Sequence, residues 1–245
     1  MQIVTLSLFR FSSPTGRLWA FAQMGLMHPA IGRLEGLCFY KLLGTGAGAG
    51  FSLKPDFSTY ALICVWQDMA AARRAVGQGE VHAAYRRHAS QMATLYLTPT
   101  RSRGQWAGQA PFTVDPETVP RRPIVALTRA TLRLKKLVPF WSQAPGISDE
   151  IETDPHQRFM MGLGEVPYKH MMTFSIWDDE AAMRAFSLDS ASHGVAVRRA
   201  WQEGWFVEYL FARFNLIAID GAWPGLEPFA QRAQETAPAG AREAA

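Results

Sequence analysis

His193 is the residue whose type and setting most invite chemistry. It follows Ser190-Ala191-Ser192 and opens a helical run amid alanine, valine and aromatic residues. Apolar surroundings favour the neutral imidazole, which is the form that ligates metals. No second ligand stands at metal spacing: the sequence has no HExxH, no CxxC and no visible two-histidine-one-carboxylate set. What remains is a one-histidine site, which is what a haem iron commonly takes, or an ordinary polar residue with a hydrogen-bond partner. Both readings stay open on this residue alone.

The other chemistry-bearing residues are more scattered. His28 and His156 adjoin prolines and His88 lies in a polar run, so these three read as solvated; His170 opens a strand and is ambiguous. Arg129 ends a strand, and Lys41 holds a similar place in an aromatic one. A cation there suits a carboxylate, such as a propionate, or snorkels at a rim. Glu165, after Gly164, reads equally as a functional or a solvated loop carboxylate. Trp205 stands in an aromatic-rich stretch with Trp177, Phe186, Trp201, Phe206, Tyr209, Phe211 and Phe214. Such a wall suits a large flat or elongated apolar ligand, and equally an ordinary core. There is no GxSxG elbow, and Ser190 and Ser192 complete no triad. The glycine-rich stretch from Gly44 to Gly50 lacks the GxxxxGK[ST] pattern and opens no helix. It reads as a turn, or as backbone that a bulky ligand approaches closely.

These residues need elements to position them. Alternation predicts strands over Ile3–Phe9, Leu37–Leu43, Ser58–Trp66, Ala93–Leu97, Pro123–Arg129, Met171–Trp177 and Trp205–Arg213. Helices are expected over Arg17–Met27 and from Asp68 to about Met92, with a break at Gly77–Gly79, and again after Asp179. Thr131–Val138 has a helical reading. The halves match: Trp66-Gln67-Asp68-Met69-Ala70-Ala71 parallels Trp177-Asp178-Asp179-Glu180-Ala181-Ala182 at an offset of 111 residues, which also pairs His82 with His193. Ile3–Leu6 parallels Ile124–Leu127. Each half reads strand, helix, strand, strand, helix, strand. The expected fold is therefore α+β, two tandem ferredoxin-like repeats forming a pseudo-dimeric α/β barrel. The expected divisions are 1–105 for the first repeat, 106–122 for a linker packed on the body, 123–225 for the second repeat and 226–245 for a frayed tail.

Composition narrows the function. The chain has 245 residues, 48% of them hydrophobic, and a net charge of +4. That excess is too small to argue for nucleic acid. Two cysteines, Cys38 and Cys64, offer no disulfide framework or zinc site. The first residues lack a signal peptide's basic region, and no run reaches the ~20 apolar residues of a membrane span. A cytoplasmic protein, at most peripheral to a membrane, is expected.

Several stretches carry a resemblance. Leu18-Trp19-Ala20-Phe21, Gln23-Met24-Gly25-Leu26, Lys41-Leu42-Leu43-Gly44-Thr45-Gly46 and Gly50-Phe51 stand in the first half, and Trp106 with Ala110-Pro111-Phe112 follows. Ala126-Leu127-Thr128-Arg129-Ala130-Thr131, Phe140-Trp141, Gly162-Leu163-Gly164-Glu165-Val166-Pro167, Thr173-Phe174-Ser175-Ile176-Trp177, His193 and Glu208-Tyr209-Leu210-Phe211-Ala212-Arg213-Phe214 stand in the second. In this order and spacing they resemble the spheroidene monooxygenase family, the acyclic carotenoid 2-ketolases, over nearly all of residues 1 to 225. The resemblance implies an O2-dependent monooxygenase that contains haem b and draws electrons from a ferredoxin-type donor. It implies two hydroxylations of a spheroidene-type carotenoid at C2, giving a gem-diol that loses water to a ketone, a step of carotenoid pathways in phototrophic bacteria. His193 would ligate the iron. Arg129 and Lys41 would hold propionates or supply a distal hydrogen bond, and Trp205 would wall the cofactor. A membrane-borne substrate implies contact with the bilayer surface; oligomeric state is left open. The same barrel also accommodates a cofactor-free oxygenase, a haem dehydratase, or a haem or lipid carrier.

Overall fold

The first strand shows how the sequence builds the sheet. In β1 (Ile3–Arg10) Val4, Leu6 and Leu8 point to one side and Ile3 and Phe9 to the other, the two-residue period of a pleated strand. Both faces are buried, not one. Val4, Leu6 and Leu8 fill the interior of a barrel, while Ile3 and Phe9 lie beneath helices. The computed structural model describes residues 1–46, 54–143, 146–147, 150–151, 153–190 and 193–230.

After β1 come α1 (Pro14–Leu26), the short α2 (His28–Ile31), β2 (Leu37–Gly46), β3 (Pro55–Trp66), α3 (Met69–Gln78), α4 (Glu80–His88) and β4 (Gln91–Gly104). The second half comprises β5 (Ile124–Leu132), a 3-10 turn (Leu134–Lys136) running into α5 (Leu137–Trp141), β6 (Gln157–Gly164), β7 (His170–Trp177), α6 (Glu180–Arg184), a π-helical turn (Ala185–Asp189), α7 (His193–Gln202) and β8 (Phe206–Gly221). Thr131 and Leu132 finish β5 and do not begin a helix, because they pair with β7 and β8. Helix starts are set by matching caps. Asp68 accepts from the Ala71 N–H with φ −157 and ψ 176, and Asp179 accepts from the Ala182 N–H with φ −158 and ψ 177, each satisfying an orphan amide of the first turn.

The strands close into an antiparallel barrel in the order β1-β3-β2-β6-β7-β5-β8-β4. Within each half the order runs fourth strand, first, third, second, and the halves join edge to edge. β4 and β8 pair along most of their length, whereas among the described residues β2 and β6 meet at two pairs, Gly44↔Gly164 and Thr45↔Leu163. A side chain at Gly164 would lie 2.4 Å from the His170 carbonyl oxygen, so the seam needs glycine there. The interior is completed from outside the strands. Trp106 and Phe112 enter from the connecting segment, which packs on the body as expected, and Trp223, Leu226 and Phe229 enter from the C-terminal side. Residues 227–230 form a helical turn, so the packed body extends past the expected boundary at 226. The rest of that tail lies outside the described residues, as do residues 47–50 of the glycine-rich stretch.

The helix layer over the first half is filled by aromatic rings. Phe9 stacks on Tyr85 with centroids 4.2 Å apart. His82 is fully buried and its Nε2 lies 3.0 Å from Ser7 Oγ. Burial, aided by the Arg86 charge, pushes the His82 pKa down to about 4. A buried neutral histidine binds fewer protons than the unfolded chain between that value and its ordinary one. Stability is therefore full above about pH 6.5 and falls as pH drops toward 4. Urea unfolding at pH 7 and pH 5 should show this loss in the parent chain, of order 2 kcal/mol at pH 5, and a flatter profile in His82→Gln.

Candidate active site

His193 opens α7 and is half-buried. Its ring lies 5.0 Å from that of Phe186, which also packs on Trp177 at 5.3 Å. Phe186 belongs to an apolar cluster with Met160, Trp177, Met183 and Ala196. Nδ1 lies 3.2 Å from the carbonyl oxygen of Ser187, in the π-helical turn, and the backbone N–H of His193 donates to Glu150 at 3.3 Å. Burial lowers the His193 pKa, outweighing the Ser187 carbonyl and the Glu150 charge. The ring is thus neutral, and a proton on Nδ1 donating to Ser187 leaves the Nε2 lone pair for a metal. A backbone carbonyl fixing the far nitrogen is the usual support of a ligating histidine.

The sheet beneath His193 differs from its counterpart beneath His82. Strand registers give the correspondence directly. In the first half the helix-facing pairs run Ile3↔Trp66, Thr5↔Cys64, Ser7↔Leu62 and Phe9↔Tyr60; in the second they run Ile124↔Trp177, Ala126↔Ser175, Thr128↔Thr173 and Ala130↔Met171. The floor is kept at the tryptophan end and stripped elsewhere: alanine stands for Phe9, threonine for Leu62 and methionine for Tyr60. The roof is stripped at the same place. Tyr85 stands three residues after His82, and Ala196 stands three residues after His193. The stacked Phe9–Tyr85 pair that fills one half has become Ala130 and Ala196 in the other. Ala130 and Ala196 are nonetheless buried, and Ile147, Ile151, Met160 and Phe186 cluster with Ala126 and Ala196 on this side of the sheet. What fits a haem here is the imidazole itself, oriented by a backbone carbonyl and bordered by apolar side chains, as single-histidine ligation requires.

The other expected site residues are not brought to His193. Along β5, Val125 and Leu127 face the barrel interior and Ile124 and Ala126 face the helices, so Arg129 falls on the interior side, across the sheet from His193. It is 3% exposed and pairs with Glu208, with Glu165 3.6 Å from its other terminal nitrogen. Lys41 joins the same cluster, 2.9 Å from Glu165. Trp106 Nε1 donates to Glu165 at 2.6 Å, and Glu208 accepts from the backbone N–H groups of Ala107 and Gly108. Burial alone would raise the Glu208 pKa, but those amides and Arg129 outweigh it and hold the carboxyl below its usual range. His170 sits beside the cluster, 3.7 Å from Glu165, and burial lowers its pKa against the pull of that carboxylate. Trp205 is buried beyond the far end of α7, where its indole donates to Glu203 and its ring lies under Lys136 and Arg199. The aromatic wall divides in the same manner. Trp177 and Phe186 accompany His193, Phe214 faces the interior, and Trp201, Tyr209 and Phe211 form a partly exposed group outside β8.

A groove of about 240 Å³ runs along the β2–β6 seam. Phe21 and Met24 of α1 form one wall and Trp141, Tyr168 and Met171 the other, with Glu165 and His170 in its lining. It reaches both sides of the sheet, since Met172 and Leu163 face the interior while Gly162, two residues from Met160, faces the helices. Methionine and aromatic walls suit an elongated apolar ligand. A second cavity, about 460 Å³, adjoins it and shares Met24 and Glu165; Lys41 lies in its wall.

No protein-family model matches the sequence. The fold is similar to that of an aldoxime dehydratase solved with butyraldoxime, with a TM-score of 0.57 at 10% identity over 91% of this chain and 84% of that one. In sequence, the chain is 39% identical to spheroidene monooxygenase of Rhodobacter capsulatus over 237 residues, covering 96% of this chain and 98% of that protein. It is 38% identical to spheroidene monooxygenase of Cereibacter sphaeroides over 229 residues, covering 93% and 71%. Identity at that level, over nearly the whole barrel and both halves of the candidate site, makes this chain a member of the spheroidene monooxygenase family.

Proposed function

We propose that this protein is a haem-dependent monooxygenase that uses O2 to convert a spheroidene-type acyclic carotenoid into its 2-keto derivative. The observation that supports the haem reading is His193 itself, its Nδ1 held by the Ser187 carbonyl and its ring set against Phe186, where alanines replace the Phe9–Tyr85 stack of the first half. Bound haem would supply O2 activation; a ferredoxin-type donor would supply the electrons. His193 would hold the iron through Nε2, with its Nδ1 proton kept on the Ser187 carbonyl. The apolar groove at the β2–β6 seam would receive the polyene and keep water away from its reacting end. Each hydroxylation consumes one O2, two electrons and two protons and releases one water. Two rounds at C2 leave a gem-diol, which expels a further water to form the ketone. Arg129 and Lys41, already paired with carboxylates of their own chain, would act on the barrel mouth and not on the haem.

The direct test is an absorption spectrum of protein expressed with ample haem, before and after dithionite and CO. A Soret band that moves with CO, followed by O2- and reductant-dependent oxidation of spheroidene, is expected. No Soret band, with apoprotein that refuses added haem, would sink the haem assignment. A Soret band without turnover would leave a haem carrier.

A further inference from the structure

Exposed apolar side chains stand on three elements that contribute to the groove's lining, α1, β3 and the segment ending at Trp141. Leu18 and Phe21 lie on the outward face of α1, 71% and 56% exposed. Phe57 of β3, also 56% exposed, meets Phe21 edge to face at 6.0 Å. Leu134 and Val138 are 70% and 81% exposed. They stand about one helical turn apart on the segment leading to Trp141, which lines the groove and donates to the Tyr168 carbonyl. Soluble proteins rarely leave large aliphatic and aromatic groups exposed on the elements that line one groove without a use for them.

The charge beside these groups indicates the partner. Residues 133–141 read RLKKLVPFW: two lysines and an arginine, no acidic residue, and an aromatic end. Lys136 pairs with Glu203 and Arg133 bonds the Gly204 carbonyl, while Lys135 is exposed. Aliphatic and aromatic groups beside cations are what sits at the boundary of acyl chains and anionic headgroups. We propose that the outward face of α1 and the 133–141 segment dock together on an anionic lipid bilayer, setting the groove mouth against the lipid. The proposal stands whether or not His193 holds a haem. A second protein is the less suitable occupant, because the apolar groups flank an open groove and do not form one flat patch.

Co-sedimentation of the full chain with phosphatidylcholine vesicles, with and without phosphatidylglycerol, tests it. The parent chain is expected to sediment with the anionic vesicles, and less so at high salt. Leu18→Glu and Val138→Glu, one on each segment, should each lower the partition roughly tenfold or more. Both side chains are exposed, so the thermal midpoint of each variant should stay with the parent and separate lost docking from lost folding. Absence of sedimentation with either vesicle, or sedimentation that both substitutions leave intact, overturns the proposal. So does a parent dimer that Val138→Glu splits to monomer without any lipid binding, since that would make a second copy the occupant.

Discussion

His193→Ala is expected to eliminate the Soret band of haem-loaded protein and to lower haem affinity by more than ~100-fold, since losing merely an outer-shell partner of a ligand typically costs 10- to 100-fold. The apoprotein should remain folded, because the ring's described bond is a single contact to the Ser187 carbonyl. His82→Ala is the control: it occupies the corresponding place in the first half, but its Nε2 is spent on Ser7 and the Phe9–Tyr85 stack lies beside it. It should cost stability and leave the spectrum unchanged. A companion pair separates ligation from space. Ala130→Phe with Ala196→Tyr puts two rings on this side without touching His193 and should block haem uptake. Both alanines are buried, so the added volume should also destabilise the apoprotein by about 1–3 kcal/mol per overpacked site and lower its thermal midpoint. Full haem content in this double variant would show that the Ala130–Ala196 side is not the site, even if His193 remained the ligand.

How far this could be read from sequence differs by element. Strand alternation and the repeated Trp-x-Asp cap are local signals, and both reappear as register and capping geometry at Asp68 and Asp179. The barrel order follows once each half is recognised as a ferredoxin-like unit. The charged cluster was not legible. Lys41, Trp106, Arg129, Glu165 and Glu208 come from five separate segments, and only barrel closure brings them together. For the same reason the strand-end position of Arg129, read as a cofactor anchor or a rim cation, did not disclose that its side chain faces the interior and pairs with Glu208 and Glu165. The exchange of the Phe9–Tyr85 stack for Ala130 and Ala196 was legible in part. The parallel of Ile3–Leu6 with Ile124–Leu127 continues to Phe9 and Ala130, and the His82–His193 offset continues to Tyr85 and Ala196. That comparison asks what is missing from the second half, whereas the eye is drawn to its extra aromatics, most of which pack elsewhere.

Arg129→Ala is expected to destabilise the apoprotein by about 3–5 kcal/mol, the usual cost of breaking a buried ion pair from one side. Arg129 is 3% exposed, and its removal leaves Glu208 and Glu165 in the barrel mouth with Lys41, itself on the rim, as the cation left in that cluster. Arg129→Lys should recover only part of the loss, because a point charge cannot reach both carboxylates as the planar guanidinium does. Arg129→Met with Glu208→Gln should recover more, since it removes the stranded charge as well as its partner. The pH dependence has a definite sign. Glu208 is held below its ordinary pKa, so its contribution is present above the unfolded-state value and is lost as pH falls through the folded one. Arg129 supplies part of that depression. The gap between the parent and Arg129→Ala should therefore narrow below about pH 4, where a protonated Glu208 no longer needs the cation. Guanidinium unfolding at pH 7 and in acid measures both effects. A change under ~1 kcal/mol at pH 7 would mean that the cluster is solvated in the free protein. Loss of haem with an unchanged apoprotein midpoint would return Arg129 to the cofactor, and the barrel would then have to open at the β2–β6 seam, its two-pair weak point, for the arginine to reach it.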